Sequence, residues 1–226
     1  MGNLQLLIAA LAILAATATL PATVVEAAVA DTVTPDFFDG IKNQAQDSCA
    51  GKSFYTRDAL LQAANSYPDF GNTPREVAAF FAHVTHETGR RSVCSAGMCY
   101  VEEINKSDYC DPAQYPCAPG KQYFGRGPLQ LTWNYNYAMC GQALNFDGVG
   151  DPDSVARDPV LTWRAALWFW MTNVRPVLDQ GFGATIRAIN GIECNGGNAP
   201  AVQARVGFYN TYCQRFGIQP EANTGC

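Results

Sequence analysis

Apolar positions recur at helical spacing in several stretches of the chain. The sharpest case is Val77, Phe80, Phe81 and Val84, which stand at i, i+3, i+4 and i+7 and put one buried stripe on a helix. Just upstream, Thr73-Pro74-Arg75-Glu76 supplies a capping Thr, Pro at the first helical position and Glu three residues after the cap, which together specify a helix N-terminus. Gly89 offers the stop, so the pattern predicts a helix from Pro74 to Thr88. Thr56 to Asn65, Pro159 to Met171 and Ala199 to Phe216 also have helical composition, and the second carries Leu161, Ala165, Trp168, Phe169 and Met171 on a wide apolar face. Pro and Gly cluster instead at Tyr109 to Gly127 and Gly191 to Gly197, which read as loops or short irregular strands. No internal repeat or low-complexity linker follows residue 35, so the expectation is one compact, helix-rich domain with little sheet.

The N-terminus has a different pattern. Met1 to Ala30 contain no Lys or Arg, Leu4 to Leu20 form an apolar run closed by Pro21, and Ala28-Val29-Ala30 gives the small-x-small pattern that a signal peptidase needs. Residues 1–30 therefore read as a secretory signal cleaved after Ala30, and 31–226 as one domain with an ordered core from about residue 37. A retained membrane anchor needs about 18 to 20 strongly apolar residues, and this Ala- and Thr-rich stretch is short for that.

Composition narrows the function classes. With 48% hydrophobic and 15% charged residues the chain has ample material for a core, which excludes global disorder. Fifteen Lys and Arg against 20 Asp and Glu give a net charge of −5 with no basic block, so nucleic acid is not an expected partner. Nine Cys behind a secretory leader imply an oxidising compartment and several disulfides, with at least one thiol left over because the count is odd. Zinc is the competing reading, but no CxxC pair occurs and the two His, His83 and His86, stand on one local segment.

The same helix carries candidate chemistry. At 100° per residue Glu87 lies about 80° from Val77, on the rim of the buried stripe and in the last turn, beside the negative end of the helix dipole. Partial burial and a helix C-terminus both oppose ionisation, so Glu87 is expected to hold its proton and suit a general acid. The alternative is an ordinary surface Glu beside Arg90 or Arg91. Glu102 and Glu103 follow in Cys99-Tyr100-Val101-Glu102-Glu103-Ile104. If extended, that stretch points its two carboxylates oppositely, one to a cleft and one to solvent, so Glu87 and one of the two could flank a scissile glycosidic bond; the alternative is a solvated turn. His83, His86 and Glu87 are not the helical zinc signature, because the His are three apart and the Glu follows both; packing or substrate contact is the better reading of the two His, and no metal is expected.

At these residues a family resemblance enters. AAFFAHVTHETG, CYVEEIN, DYCDPAQYPCAPGKQYFGRGPLQLTWNYNY, LWFWM, INGIECNGG and ARVGFYNTYC resemble the plant glycoside hydrolase family 19 chitinases from about Phe54 to Cys226, and the GRGPxQL[ST]xNYNY block with HETG and INGxEC in this order is specific. The short connection from Met171 to Gly183 is similar to the class IV subgroup. The resemblance implies a lysozyme-like, mainly helical α+β fold with a long, disulfide-stapled cleft, no cofactor, and a secreted, monomeric endochitinase that cleaves chitin and chitooligosaccharides with inversion. Position by position, it implies Glu87 as general acid, Glu103 as general base and Thr132 as a helper in holding the attacking water. Gln130, Tyr135, Asn136, His86, Tyr109 and Asn190 match substrate-binding positions, and Glu193 and Arg205 match an ion-pair network that tunes Glu87. The implied bridges are Cys49 with Cys99, Cys110 with Cys117 and Cys194 with Cys226, which leaves Cys94, Cys140 and Cys213 unassigned.

Several departures stand beside the matches. Tyr115 replaces a Trp of some relatives, the segment between Glu87 and Cys99 is longer than in typical class IV members, and no Cys-rich chitin-binding module precedes the catalytic region. Asn105-Lys106-Ser107 is a glycosylation sequon two residues from the proposed base, where a glycan would crowd the cleft, so it is expected to be unoccupied. Two rivals remain at this point: a chitinase-like lectin that binds glycan without cleaving it, and a secreted metallohydrolase using His83 and His86.

Overall fold

A computed structural model describes residues 29–89 and 97–226. Among the described residues the regular structure is almost entirely helical: α1 Pro35–Lys42, α2 Ala50–Phe54, α3 Arg57–Ala64, α4 Pro74–Thr88, α5 Asn134–Leu144, α6 Ser154–Arg157, α7 Pro159–Phe169, α8 Phe182–Asn190 and α9 Ala199–Arg215. A π turn at Trp170–Val174 and a 3-10 turn at Arg175–Gln180 join α7 to α8, and a second 3-10 turn, Gly191–Glu193, follows α8. The β component among the described residues is two isolated antiparallel bridges, Glu102 with Arg126 and Arg126 with Leu131. This agrees with the expectation of a mainly helical α+β chain.

Helix α4 is the axis of the molecule, and it begins and ends where its local signals put it. Thr73 Oγ1 accepts from the Glu76 amide at 3.1 Å, and Pro74 occupies the first turn. Val77, Phe80, Phe81 and Val84 are fully buried, as are Ala78 and Ala82. The helix is therefore enclosed nearly all round, which its single amphipathic stripe did not foretell. It packs most extensively along α9, and its aromatic residues interlock with α7 and the π turn: Phe80 meets Trp170 edge to face at 5.4 Å, and Phe81 lies 6.4 Å from Trp163. Glu76 is buried in this core and accepts from Trp170 Nε1, Arg175 Nε and the Gly71 amide, so each of its oxygens has a donor.

The three bridges implied by the resemblance are formed: Cys49–Cys99, Cys110–Cys117 and Cys194–Cys226. Cys140 and Cys213 are buried free thiols, and Cys94 lies outside the described residues. Most of the expected leader also lies outside them. The packed core reaches upstream of residue 37, however. Val29 and Val33 are fully buried, and Arg57 donates to the carbonyls of Ala30 and Val33 at 3.0 and 2.5 Å.

Candidate active site

Glu87 sits in the last turn of α4, its side chain 18% exposed. Behind it, Arg205 reaches in from α9 and is fully buried. Its Nη2 donates to Glu87 Oε1. Its Nε and Nη2 also donate to the two oxygens of Glu193, at 2.8 and 3.0 Å. Glu193 further accepts from Asn190 Nδ2 at 3.0 Å, and His86 Nε2 stands 3.8 Å from it. Burial works to raise the pKa of Glu193, but His86 and Arg205 beside it outweigh that and bring it down to about 2. One buried cation thus serves two carboxylates, and the inner one is an anion at mildly acidic and neutral pH.

The second carboxylate is held from the other wall. Glu103 Oε1 accepts from the Tyr109 phenol at 2.9 Å and Oε2 from the Gly125 amide at 3.2 Å, while its own amide donates to the Gly125 carbonyl at 2.8 Å. Both of its oxygens are thus held in place by donors of the protein. Glu102 turns the opposite way, as an extended doublet requires: it binds Lys106 Nζ at 2.8 Å and lies 3.5 Å from Arg126 Nε. Arg126 is buried, pairs with Asp153 at 2.5 Å and stacks over Phe124, so the GRG segment is pinned from both sides. Gly125 is needed there for close approach. A Cβ on it would come within 2.8 Å of Gln130 Oε1 and 3.3 Å of Thr132 Oγ1.

Glu87 and Glu103 open onto one cleft of about 540 Å³, which Tyr109, Gln130, Thr132, Asn136 and Asn190 also line. Polar side chains are braced along it: Thr132 Oγ1 donates to the Gln130 carbonyl at 2.7 Å, Gln130 Nε2 to the Gly127 carbonyl at 2.9 Å and Asn136 Nδ2 to the Thr132 carbonyl at 2.8 Å. Three residues of the cleft, Tyr109, Gln130 and Trp133, hold left-handed backbone at φ 49°, 50° and 78°, strain of the kind that collects at functional sites. A second groove of about 430 Å³ lies on the far side of Glu103, beside Tyr100, Glu102, Ile104 and Lys106. Ile104, Trp133, Met139 and Ile192 are the exposed large apolar side chains among the described residues, and three of them line these two grooves. Apolar patches between amides and hydroxyls fit sugar rings, which present C–H faces and polar edges.

Of the residues predicted for this site, His86 and Tyr135 do not line the cleft directly. His86 packs against Glu193, and Tyr135 stacks on Trp133 at 6.0 Å and 16°. Trp133 itself was not anticipated. It is 39% exposed, and Tyr109 meets it edge to face at 5.3 Å. Its sequence signal was its place between Thr132 and the NYNY run. His83, half of the metal alternative, has both ring nitrogens engaged by protein: Nδ1 lies 3.1 Å from Arg205 Nη1 and Nε2 lies 2.9 Å from Thr185 Oγ1.

The family described as chitinase class I, Glyco_hydro_19, matches residues 32–179 and 176–226. The chain belongs to glycoside hydrolase family 19. Among similar proteins, basic endochitinase CHB4 of Brassica napus is 57% identical over 204 residues, covering 88% of this chain and 74% of its own length. Endochitinase A of Zea mays is 55% identical over 88% of this chain and 72% of its own length. The crystal structure of the family 19, class IV chitinase from Zea mays superposes with a TM-score of 0.80 at 53% identity, over 87% of this chain and 98% of that one. A bacterial family 19 chitinase superposes at 0.74 with 38% identity, over 86% and 100%. This family 19 enzyme is thus a glycoside hydrolase with the fold of its solved relatives.

Proposed function

We propose that this protein is a secreted endochitinase that hydrolyses β-1,4-linked N-acetylglucosamine polymers with inversion, Glu87 acting as general acid and Glu103 as general base. The observation that carries this reading is the shared cleft: two carboxyl groups from different elements open onto one groove whose remaining walls are amides, hydroxyls and aromatic and aliphatic side chains. The names of the relatives, chitinases and endochitinases at 52–57% identity, support chitin and chitooligosaccharides as the substrate.

In the proposed reaction, water between Glu103 and the anomeric carbon attacks from the face opposite the leaving group. Its proton passes to Glu103, a new C–O bond forms, the glycosidic C–O bond breaks, and the proton of Glu87 passes to the departing oxygen. Inverting pairs stand roughly 6.5 to 9.5 Å apart to leave room for that water. Thr132, beside Gly125 and Glu103, is suited to orient it. Gln130, Asn136, Asn190 and Tyr109 offer hydrogen bonds to hydroxyls and acetamides, with His86 and Tyr135 supporting them. The chemistry needs two carboxyl groups and water, and no cofactor or metal.

The protein is read as a monomer acting outside the cell after loss of its leader, in defence against chitin-containing organisms and in chitin catabolism. Among the described residues no helix is long and apolar enough to cross a membrane. NMR of the anomers released from an N-acetylglucosamine hexamer tests the reading: α-product at early times is expected, and β-product would rule out inversion. Glu87→Gln is expected to bind the hexamer and leave it intact, whereas full hydrolysis by that variant would remove Glu87 from the mechanism.

A further inference from the structure

His83 lies behind the cleft without lining it, and Arg205 joins it to Glu87. It is fully buried, one turn before Glu87 on α4. Its ring is clamped flat, stacking on Phe182 at 4.8 Å and 18°, and Phe182 in turn stacks on Tyr209 at 4.2 Å and 3°. Three helices, α4, α8 and α9, therefore fix the imidazole plane.

The proton order around that ring is determined by its partners. Arginine has no acceptor, so the 3.1 Å contact from Arg205 Nη1 requires an unprotonated Nδ1. The single ring proton then sits on Nε2 and is donated to Thr185 Oγ1 at 2.9 Å. Thr185 passes its own hydroxyl proton to the Phe182 carbonyl at 2.6 Å. The ring must stay neutral for this chain to exist. Burial, the charge of Arg205 and the nearby His86 all hold its pKa well below the ordinary 6.5. The charged or titratable groups around it are Arg205 from α9, Glu193 beyond Arg205 on the 3-10 turn, and His86 and Glu87 from its own helix.

Arg205 thereby has an acceptor on each side: Glu193 for Nε and Nη2, Glu87 for Nη2, and His83 for Nη1. Glu193 and His83 bind the guanidinium from fixed elements, and Glu87 takes what remains. We infer that His83 is a positioning residue for the reaction, a neutral imidazole whose Nδ1 lone pair sets the rotation of the Arg205 guanidinium and so how strongly that cation competes with the proton for the Glu87 carboxylate. The inference rests on the reading of Glu87 as the acid. Without the Nδ1 acceptor, Nη1 is a stranded buried donor, and the guanidinium turns toward the carboxylates. That favours ionised Glu87 and depletes the protonated acid.

The test compares His83→Leu, which has no acceptor, with His83→Asn, whose amide oxygen stands near the Nδ1 position. With an N-acetylglucosamine hexamer, His83→Leu is expected to lower kcat about tenfold with KM little changed, and to shift the basic limb of the kcat/KM–pH profile toward lower pH. His83→Asn is expected to recover most of both. Thr185→Val, close to isosteric, removes the acceptor of the Nε2 proton and gives a smaller shift of the same sign; it stands in if His83→Leu does not fold. In the unmodified protein, ¹⁵N NMR is expected to show His83 as the neutral Nε2–H tautomer at neutral and mildly acidic pH. A protonated Nδ1, or wild-type kcat and an unshifted limb in folded His83→Leu and Thr185→Val, would overturn the inference. Glu87→Gln separates the two readings: if it is inactive while the His83 variants behave as wild type, only the role of His83 fails, and if it is active, the reading of Glu87 fails first.

Discussion

Arg205 and Glu193 form a two-pronged salt bridge inside the protein, Nε to Oε2 at 2.8 Å and Nη2 to Oε1 at 3.0 Å. Both side chains are buried, and the prong at Nη2 is shared with Glu87. Removing the Glu193 charge leaves the guanidinium with Glu87 as its remaining anion. Glu193→Gln is therefore expected to hold Glu87 ionised, lower kcat/KM by tenfold or more at neutral pH, and move the basic limb of its pH profile acidward, measured by steady-state hydrolysis of the hexamer.

The same bridge makes stability depend on pH. Folding depresses the pKa of Glu193 from 4.5 to about 2, so its contribution is present above pH 4.5 and is lost as pH falls from there through about 2. Melting temperature should decline across that window, and the decline should be shallower in Glu193→Gln. Equal slopes in the two proteins would remove Glu193 as the source.

Tyr109 gives Glu103 one of its two hydrogen bonds, at 2.9 Å. Tyr109→Phe keeps the ring against Trp133 and deletes that donor. A carboxylate that loses a donor is harder to ionise, so the acid limb of the profile should rise in pH and kcat should fall by roughly tenfold to a hundredfold, the scale of the about 1.5 to 3 kcal/mol that a hydrogen bond to a charge contributes. An unchanged acid limb would show that Glu103 does not depend on the phenol.

The C-terminal tail staples the turn that carries Glu193. Cys226 bridges Cys194, the residue after Glu193, and the Gly183 amide donates to the Asn223 carbonyl at 3.3 Å. Cys226→Ser is expected to lower stability by about 2 to 4 kcal/mol in urea unfolding. It should also reduce activity while the protein is still folded, because the turn loses its anchor.

Val29 is buried against Gly71, where a Cβ would meet it at 3.0 Å. A mature chain beginning at Asp31 lacks this side chain and the Ala30 carbonyl that Arg57 uses. It should be less stable than a chain beginning at Ala28 by about 2 kcal/mol, the scale for burying one Val, as compared by urea unfolding.

Legibility in the sequence follows the range of the interactions. Helix α4 is readable to the residue because its proline and apolar stripe lie within its own fifteen residues and its cap, Thr73, directly precedes them. Helix α5 was not expected. Trp133, just before its start, has φ 78° and supplies no side-chain cap, and the helix is held instead by Asn134, which takes the Asp111 amide and gives to the carbonyls of Asp111 and Tyr115. Helix α8 lacks a capping side chain next to it, and the carboxylate of Glu221, from the distant tail, accepts the Phe182 amide at 2.7 Å. No window of neighbouring residues contains those partners.

The site divides the same way. Sequence alone decided that Glu87 stands in the last turn of a helix with one buried stripe, that Glu102 and Glu103 face opposite ways if extended, and which family motifs surround them, because these depend on local periodicity and on residue identity. Tertiary packing decided that Arg205 is divided between Glu87 and Glu193, that His83 supports Arg205 rather than a metal, and that Trp133 is exposed on the cleft. Those outcomes need side chains about 120 residues apart to meet with bond-length accuracy. Such meetings are set by how α4, α8 and α9 close on one another, and residue spacing carries no record of that.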